Sequence, residues 1–328
     1  MFKFIFITDL HLKTSNPSNR IDDYTETLFK KLTWVLNFAK KKKIKNILCG
    51  GDILDTPSPS DEIINRLIET ISQYDVQFYT VYGNHDMRNG NVKTIYKGKI
   101  GLLEAAPWFH DLVKEPIINR DVVVIGQHYG KETDCCNEMF LEVEEYDSKG
   151  KFKIAVLHTM LAEKTFSVST ELKMVNYRDF QLYPHFDLIL SGHYHPGFGI
   201  KRATTLSHTT TYANPGSMMR LSIADARLAR GVGLVYGKVV NGACKALKRV
   251  RIPCEKSVFD MEFHAEKVQD EKLRGQFVAV LNKFKNTSLF SRNLFERLDH
   301  LIVNPPEELK GKITQELIED IKEKLEDV

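Results

Sequence analysis

The stretch Phe4-Ile5-Phe6-Ile7-Thr8-Asp9-Leu10-His11 opens as an apolar, aromatic and β-branched run and stops abruptly on an aspartate and a histidine. Continuous apolar character predicts a strand over residues 3–8 that is covered on both faces, because a half-exposed strand would alternate apolar with polar side chains. The same run at 46–49, 76–82, 122–125, 153–157 and 187–190 predicts five more central strands. Chemistry-bearing residues follow most of them. Asp9-Leu10-His11 follows the first, Gly51-Asp52-Ile53-Leu54-Asp55 the second and Gly83-Asn84-His85-Asp86 the third. His158 ends the strand at 153–157, and Gly192-His193-Tyr194-His195 follows the last. In open α/β sheets, ligands bind at the carboxyl ends of the strands, so all five elements are expected along one edge.

Amphipathic stretches fill the intervals. Residues 22–43 suit a helix whose final turn is crowded with lysines. A second helix is expected with Ser58 as N-cap, Pro59 at its first position, and Asp61 and Glu62 complementing the dipole. Ile63, Ile64, Leu67, Ile68 and Ile71 would form its buried stripe. The alternation predicts a layered α/β sandwich over residues 1–245, with helices flanking the sheets. Beyond Tyr212 the pattern changes. Residues 231–240 and 246–252 read as exposed, alternating strands, and 270–284 as a helix with Leu273, Phe277, Val280, Leu281 and Phe284 on one face. Asn304-Pro305-Pro306 is a break, and 307–328 reads as a charged amphipathic helix. The expected division is therefore 1–245, a small α+β capping unit over 246–303, and a C-terminal helix over 304–328.

Composition excludes several classes. Of 328 residues, 42% are hydrophobic and 27% charged, which is neither disordered nor membrane-like. No apolar run approaches the ~18 residues of a membrane span. The amino terminus lacks the basic flank and small-residue cleavage site of a signal peptide. Five cysteines without a CxxC pair argue for reduced thiols in the cytoplasm, and against zinc–thiolate chemistry. A net charge of +3 permits a nucleic-acid partner without arguing for one.

Carboxylate, imidazole and amide oxygen are the donors of a binuclear site for Mn²⁺, Fe or Zn²⁺. One carboxylate can bridge two cations ~3.5–4 Å apart, and such a pair acidifies a water while neutralising a phosphoester. The remaining histidines, His110, His128, His185, His208, His264 and His300, follow no such motif and read as ordinary packed or solvated side chains.

The order DLH, GD, GNHD, a lone histidine and GHYH, spanning residues 7–195, resembles the calcineurin-like metallophosphoesterases. It is most similar to the SbcD-type nuclease subunit of DNA double-strand-break repair. Asn214-Pro215-Gly216-Ser217 resembles a turn that follows GHxH in those nucleases. The resemblance implies one metal held by Asp9, His11, Asp52 and His195, and a second held by Asp52, Asn84, His158 and His193, with Asp52 bridging. It implies His85 as the general acid. Many repair nucleases have a histidine three residues after the bridging aspartate, whereas this chain has Asp55, as the wider family does. Asp55 is accordingly expected to hydrogen-bond and orient His85. The arginine of the phosphatase motif GDxVDRG is missing from Gly51-Asp52-Ile53-Leu54-Asp55-Thr56-Pro57, and GNHD replaces the usual GNHE.

The resemblance further implies a DNA exo- and endonuclease using two divalent ions, Mn²⁺ first and Mg²⁺ as the alternative, with an SMC-like coiled-coil ATPase as partner. A homodimer is expected, formed through residues 100–109 or the helix from Pro59, and no membrane contact. Lys201, Arg202 and Arg220 are the candidate DNA contacts, while Lys40–Lys43 and Lys45 fall ~23 Å from Asp52, on the opposite edge of the sheet. Two other readings stay open: a phosphomonoesterase acting on a nucleotide or phosphoprotein, and a metal-free binding scaffold.

Overall fold

Phe2–Ile7 forms β1, which runs directly into the Asp9 turn, and every other element of the first layer is arranged around it. The computed structural model describes residues 1–17, 20–130, 134, 136–141, 149–163, 174–205, 208–222, 231–254 and 258–260. After β1 come α1 (Tyr24–Lys42), β2 (Asn46–Cys49), α2 (Asp61–Ser72) and β3 (Gln77–Thr80). A short helix α3 (Ile100–Glu104) leads to β4 (Phe109–Asp111). The second layer begins with β5 (Ile117–Ile118) and β6 (Val122–Gln127), then β7 (Glu138–Phe140) and β8 (Phe152–His158). Short strands β9 (Leu161–Ala162), β10 (Val175–Asn176) and β11 (Gln181–Tyr183) precede β12 (Leu188–Gly192), β13 (Gly199–Thr204) and β14 (Thr209–Asn214). The chain then returns to the first sheet as β15 (Gly233–Val240) and β16 (Ala243–Arg251).

Two six-stranded sheets result, in the orders β16-β15-β1-β2-β3-β4 and β13-β14-β12-β8-β6-β5. Their inner faces meet through Phe4, Phe6, Leu48, Val122, Val124, Ile154, Val156, Leu188 and Leu190. The outer face of the first sheet packs on α1 and α2, with Ile5, Ile47, Leu32, Val35, Ile64 and Leu67 in one core. Sheet residues are therefore covered on both sides, which is why the central strands carry no polar alternation. Fully burying each such side chain contributes about 1.5–3 kcal/mol. The expected layered α/β architecture is what the chain adopts.

The local rules explain the helices. Asp23 caps α1, accepting from Glu26 N–H at 2.9 Å, and Lys43 closes it in a left-handed conformation with φ 54°. The second helix begins later than expected: Ser60, not Ser58, is its N-cap, and Pro59 lies outside it. The Ser60 side chain does not decide the start, since it makes no capping bond. Its isoleucine stripe is buried as expected, with Ile68 half-buried at its edge.

The returning strands correct the sequence reading. Residues 231–240 were expected to be exposed, yet β15 lies between β1 and β16, paired antiparallel to both. Val235 and Val239 enter the inter-sheet core while Leu234 faces the helices. Gly237 is required here, because a Cβ would overlap the Phe4 ring. The boundary expected at 245 falls inside β16, and the first compact unit runs from Met1 to Phe259. The expected capping unit beyond residue 260, the helix at 270–284 and the C-terminal helix lie outside the described residues. Among the described residues, no helix is long and apolar enough to cross a membrane, and the four cysteines are unbridged.

Candidate metal centre

Parallel strands place β1, β2, β8 and β12 with their carboxyl ends along one crest, and the chain turns sharply as it leaves them. Asp9, His11, Asp52 and His193 all adopt positive φ, at 54°, 48°, 49° and 75°. That region disfavours residues with a Cβ, costing on the order of 1–3 kcal/mol at each position. Hydrogen bonds hold the strained turns. Leu12 N–H donates to Ile53 O at 2.8 Å and His11 N–H to Asp52 O at 3.0 Å, tying the first two turns together. Asp86, fully buried, accepts from Leu54 N–H and Gly83 N–H at 2.9 Å each, tying the second turn to the third. Burial and the nearby Asp52 charge push the Asp86 carboxyl up to about 7. The Asn214-Pro215-Gly216-Ser217 turn stitches the two sheets: Ser217 Oγ donates to Asp9 O and its N–H to His195 O, both at 2.9 Å.

The candidate ligands converge in two groups that share Asp52. Asp9, His11, Asp52 and His195 bring donor atoms within 4.8 Å of one another, as do Asp52, His158 and His193. Asn84 joins the second group, with Oδ1 3.2 Å from His158 Nε2. Asp52 Oδ1 accepts from His85 N–H at 2.9 Å. Its Oδ2 is buried without a hydrogen-bond partner, 3.4 Å from His158 Nε2 and 3.8 Å from His11 Nε2. An orphaned, buried carboxylate oxygen is costly unless a cation satisfies it. His11 Nε2 and His195 Nε2 stand 3.0 Å apart, two ring nitrogens aimed at one point. The residues fit two divalent ions: Asp9, His11, Asp52 and His195 would hold one, and Asp52, Asn84, His158 and His193 the other. A Cβ at Gly83 would overlap Asp52 Oδ1, so only glycine leaves room for the bridge.

A family model described as calcineurin-like phosphoesterase matches residues 2–197, which covers both ligand groups. The chain belongs to that family. No curated protein sequence matches it. Among solved structures it is similar to a dimetal phosphatase from Danio rerio, at 12% identity and a TM-score of 0.45, over 76% of this chain and 97% of that one. It is also similar to an archaeal phosphodiesterase, at 10% identity and a TM-score of 0.35, over 76% of this chain and 100% of that one. As a calcineurin-like phosphoesterase, the protein is a metal-dependent hydrolase of phosphoesters. Two divalent ions, when bound, acidify the attacking water and neutralise the substrate's charge.

His85 is exposed, and its Nδ1 donates to the main-chain carbonyl of Asp55 at 2.9 Å. The expected hydrogen bond to the Asp55 carboxylate is absent, although ring nitrogens of His11 and His85 and an Asp55 carboxylate oxygen lie within 4.8 Å of one another. Asp55 instead turns its side chain to Lys13, 3.3 Å away, and to His11 Nδ1, 3.5 Å away. That second contact is too long for a good hydrogen bond and acts as electrostatic attraction. Asp55→Asn is therefore expected to leave the His85 anchor intact and to weaken metal binding at the His11 group, about 10-fold or more. Metal titration of the variant checks this; unchanged metal binding with a selective loss in the alkaline limb of the pH–rate profile, where a general acid loses its proton, would restore the carboxylate contact.

The candidate DNA contacts separate. Because β13 runs back from the crest, Lys201 pairs with Tyr212 and Arg202 with Thr211, residues level with Ile189 and Leu188. Lys201 forms an ion pair with Glu163 at 2.5 Å, and Arg202 is exposed. Arg220 stays near the centre, largely buried in the wall of a small cavity shared with His195. Sequence reasoning missed two groups. Gly50 O accepts from His158 Nδ1 at 2.6 Å, and Asp134 Oδ2 lies 3.4 Å from His193 Nε2. His128 is a packed side chain as expected, its Nδ1 accepting from Tyr82 N–H at 3.0 Å. Asp134 belongs to no motif, and a main-chain carbonyl leaves no signal in a sequence.

Charge balance sets a pH dependence. Burial disfavours a charged His158, but the Asp52 carboxylate overcomes it and raises His158 to about 10. Asp52 itself is driven far below the usual carboxylate range: burial opposes this, and His158, His11 and His85 outweigh it. Protonated His158 thus stabilises the metal-free fold fully below its ordinary value of 6.5, and that contribution is lost as pH rises through about 10. Metal must displace the same proton. Affinity should rise about tenfold per pH unit for each proton released. Mn²⁺ titration calorimetry at about pH 6.5, 7.5 and 8.5 measures it. A flat response would remove His158 from the ligand set.

Proposed function

We propose that this phosphoesterase is a DNA nuclease, both exo- and endonucleolytic, that processes ends in double-strand-break repair as the SbcD-type partner of an SMC-like ATPase. The supporting observation is the groove beside His85. It encloses about 360 Å³ and is walled by Asp55, Thr56, Met87, Asn89 and Tyr129 among others, and none of its described lining residues is lysine or arginine. A phosphomonoester carries a second negative charge that a cationic side chain would have to grip. A phosphodiester does not, and its leaving group needs room and a proton donor instead. His85 lines that room. Tyr129 adds an aromatic ring, whose edge meets His158 and His193, beside which a sugar or base can lie.

Histidine-rich donors with carboxylates favour Mn²⁺ over Mg²⁺, which prefers oxygen. The stripe Leu309, Ile313, Leu317, Ile321 and Leu325 is the proposed anchor row for the ATPase. A homodimer would draw on residues 100–109, where Ile100 and Leu103 are buried but Leu102 is 50% exposed. One experiment tests the activity. Purified protein with Mn²⁺ should digest linear duplex DNA and hydrolyse bis-p-nitrophenyl phosphate at least about 100-fold faster than p-nitrophenyl phosphate, a gap of about 2.7 kcal/mol in barrier. Faster turnover of the monoester, with intact DNA, would replace the nuclease reading by a phosphatase.

A further inference from the structure

Asp134 lies in a turn, its N–H donating to Gly130 O at 2.8 Å, and its carboxylate is largely buried. The two oxygens do different things. Oδ1 accepts from Met160 N–H at 3.0 Å and from Thr159 Oγ at 3.2 Å, gripping the chain just after His158. Oδ2 faces His193 Nε2 at 3.4 Å. One carboxylate thus spans the two strand ends that deliver His158 and His193. The His193 ring is otherwise bordered by Tyr129 and His158, with centroids 5.6 and 4.8 Å away, and its main chain is held by Asp9 Oδ1.

An imidazole binds a metal through one nitrogen, and which one is free depends on what holds the proton of the other. A carboxylate opposite Nε2 favours the tautomer that carries its proton there, which would leave Nδ1 as the nitrogen able to bind an ion. We infer that Asp134 is a positioning residue: it fixes the tautomer and ring orientation of His193 and so sets the affinity of the second divalent ion, the one held by Asp52, Asn84, His158 and His193. The inference rests on the two-ion reading of the centre and is independent of the substrate.

The test uses the full chain, stripped of metal, with Mn²⁺ alone as the probe. Calorimetry and metal analysis on the wild type should show two ions. Asp134→Ala should keep the affinity of the first ion and weaken the second about 10–100-fold. Asp134→Asn retains an acceptor oxygen and the Met160 anchor, so it should lose less, again at the second ion only. Excess Mn²⁺ should restore kcat in both variants, and the metal-free melting temperature of Asp134→Asn should stay at the wild-type value. Two ions bound to Asp134→Ala at wild-type affinity would overturn the inference. Equal weakening of both ions with a lowered melting temperature would overturn it too, since that reports a purely structural tie. If Asp134→Ala does not fold, Asp134→Asn decides by the same two criteria. A wild type that binds a single ion would instead remove the two-ion reading.

Discussion

Asp52→Asn is expected to empty both metal positions and to reduce phosphoester hydrolysis by about 10³-fold or more. Asp52 is the one residue common to both ligand groups, and its Oδ2 is the oxygen that stands between His11 and His158. An amide supplies a single neutral oxygen and puts a donor where an acceptor is needed, so neither ion keeps an anionic bridge. Metal ions supply several kcal/mol of transition-state stabilisation, and each ~1.4 kcal/mol is tenfold in rate. Asp9→Asn should weaken only the first ion, because Asp9 belongs to that group alone. Metal analysis of the two variants separates them; two tightly held ions in Asp52→Asn would remove Asp52 as the bridge. The metal-free protein offers a second readout. The Asp52 charge is the largest influence that raises His158, so removing it should shrink the dependence of stability on pH between about 6.5 and 10.

His85→Ala should slow hydrolysis by about 10²–10⁴-fold while both ions remain bound. The geometry explains the separation. A carbonyl oxygen can only accept, so the bond to Asp55 O keeps one proton of His85 on Nδ1; acting as the acid requires the imidazolium, whose second proton, on Nε2, passes to the leaving oxygen in the groove and leaves His85 neutral. The contact that matters to the metals is the His85 main-chain N–H on Asp52 Oδ1, and alanine keeps it. Binding of Mn²⁺ should therefore be unchanged, with the loss confined to kcat. Cleavage by His85→Ala at the wild-type rate would place the acid elsewhere, and loss of metal would make His85 a ligand.

Much of this was legible in the linear chain. Buried strands announce themselves as unbroken apolar runs, and residues that follow such a strand must emerge at its end, so Asp9, Asp52, His158 and His193 could be assigned to one crest from order alone. The helix stripes at 63–71 were equally plain, since 3.6-residue spacing reports the buried face. Boundaries were weaker. Ser58 and Ser60 offer the same capping chemistry, so the sequence alone does not separate them, and α2 begins after Ser60.

The amino-acid order by itself determined the central strands, the ligand types and their two-ion chemistry, because these depend on local composition and on side chains present in the motifs. Tertiary structure alone decided the rest. Residues 231–240 look half-polar in isolation, and become an inner strand only because β1 and β16 flank them. Asp55 reaches His85 through its carbonyl rather than its carboxylate because Lys13 and His11 attract the charge. Asp134 meets His193 across 59 positions of sequence only when the turn that carries Asp134 is folded against the end of β12. Contacts between distant residues, and those made by the main chain, follow from long-range packing, and no local pattern encodes them.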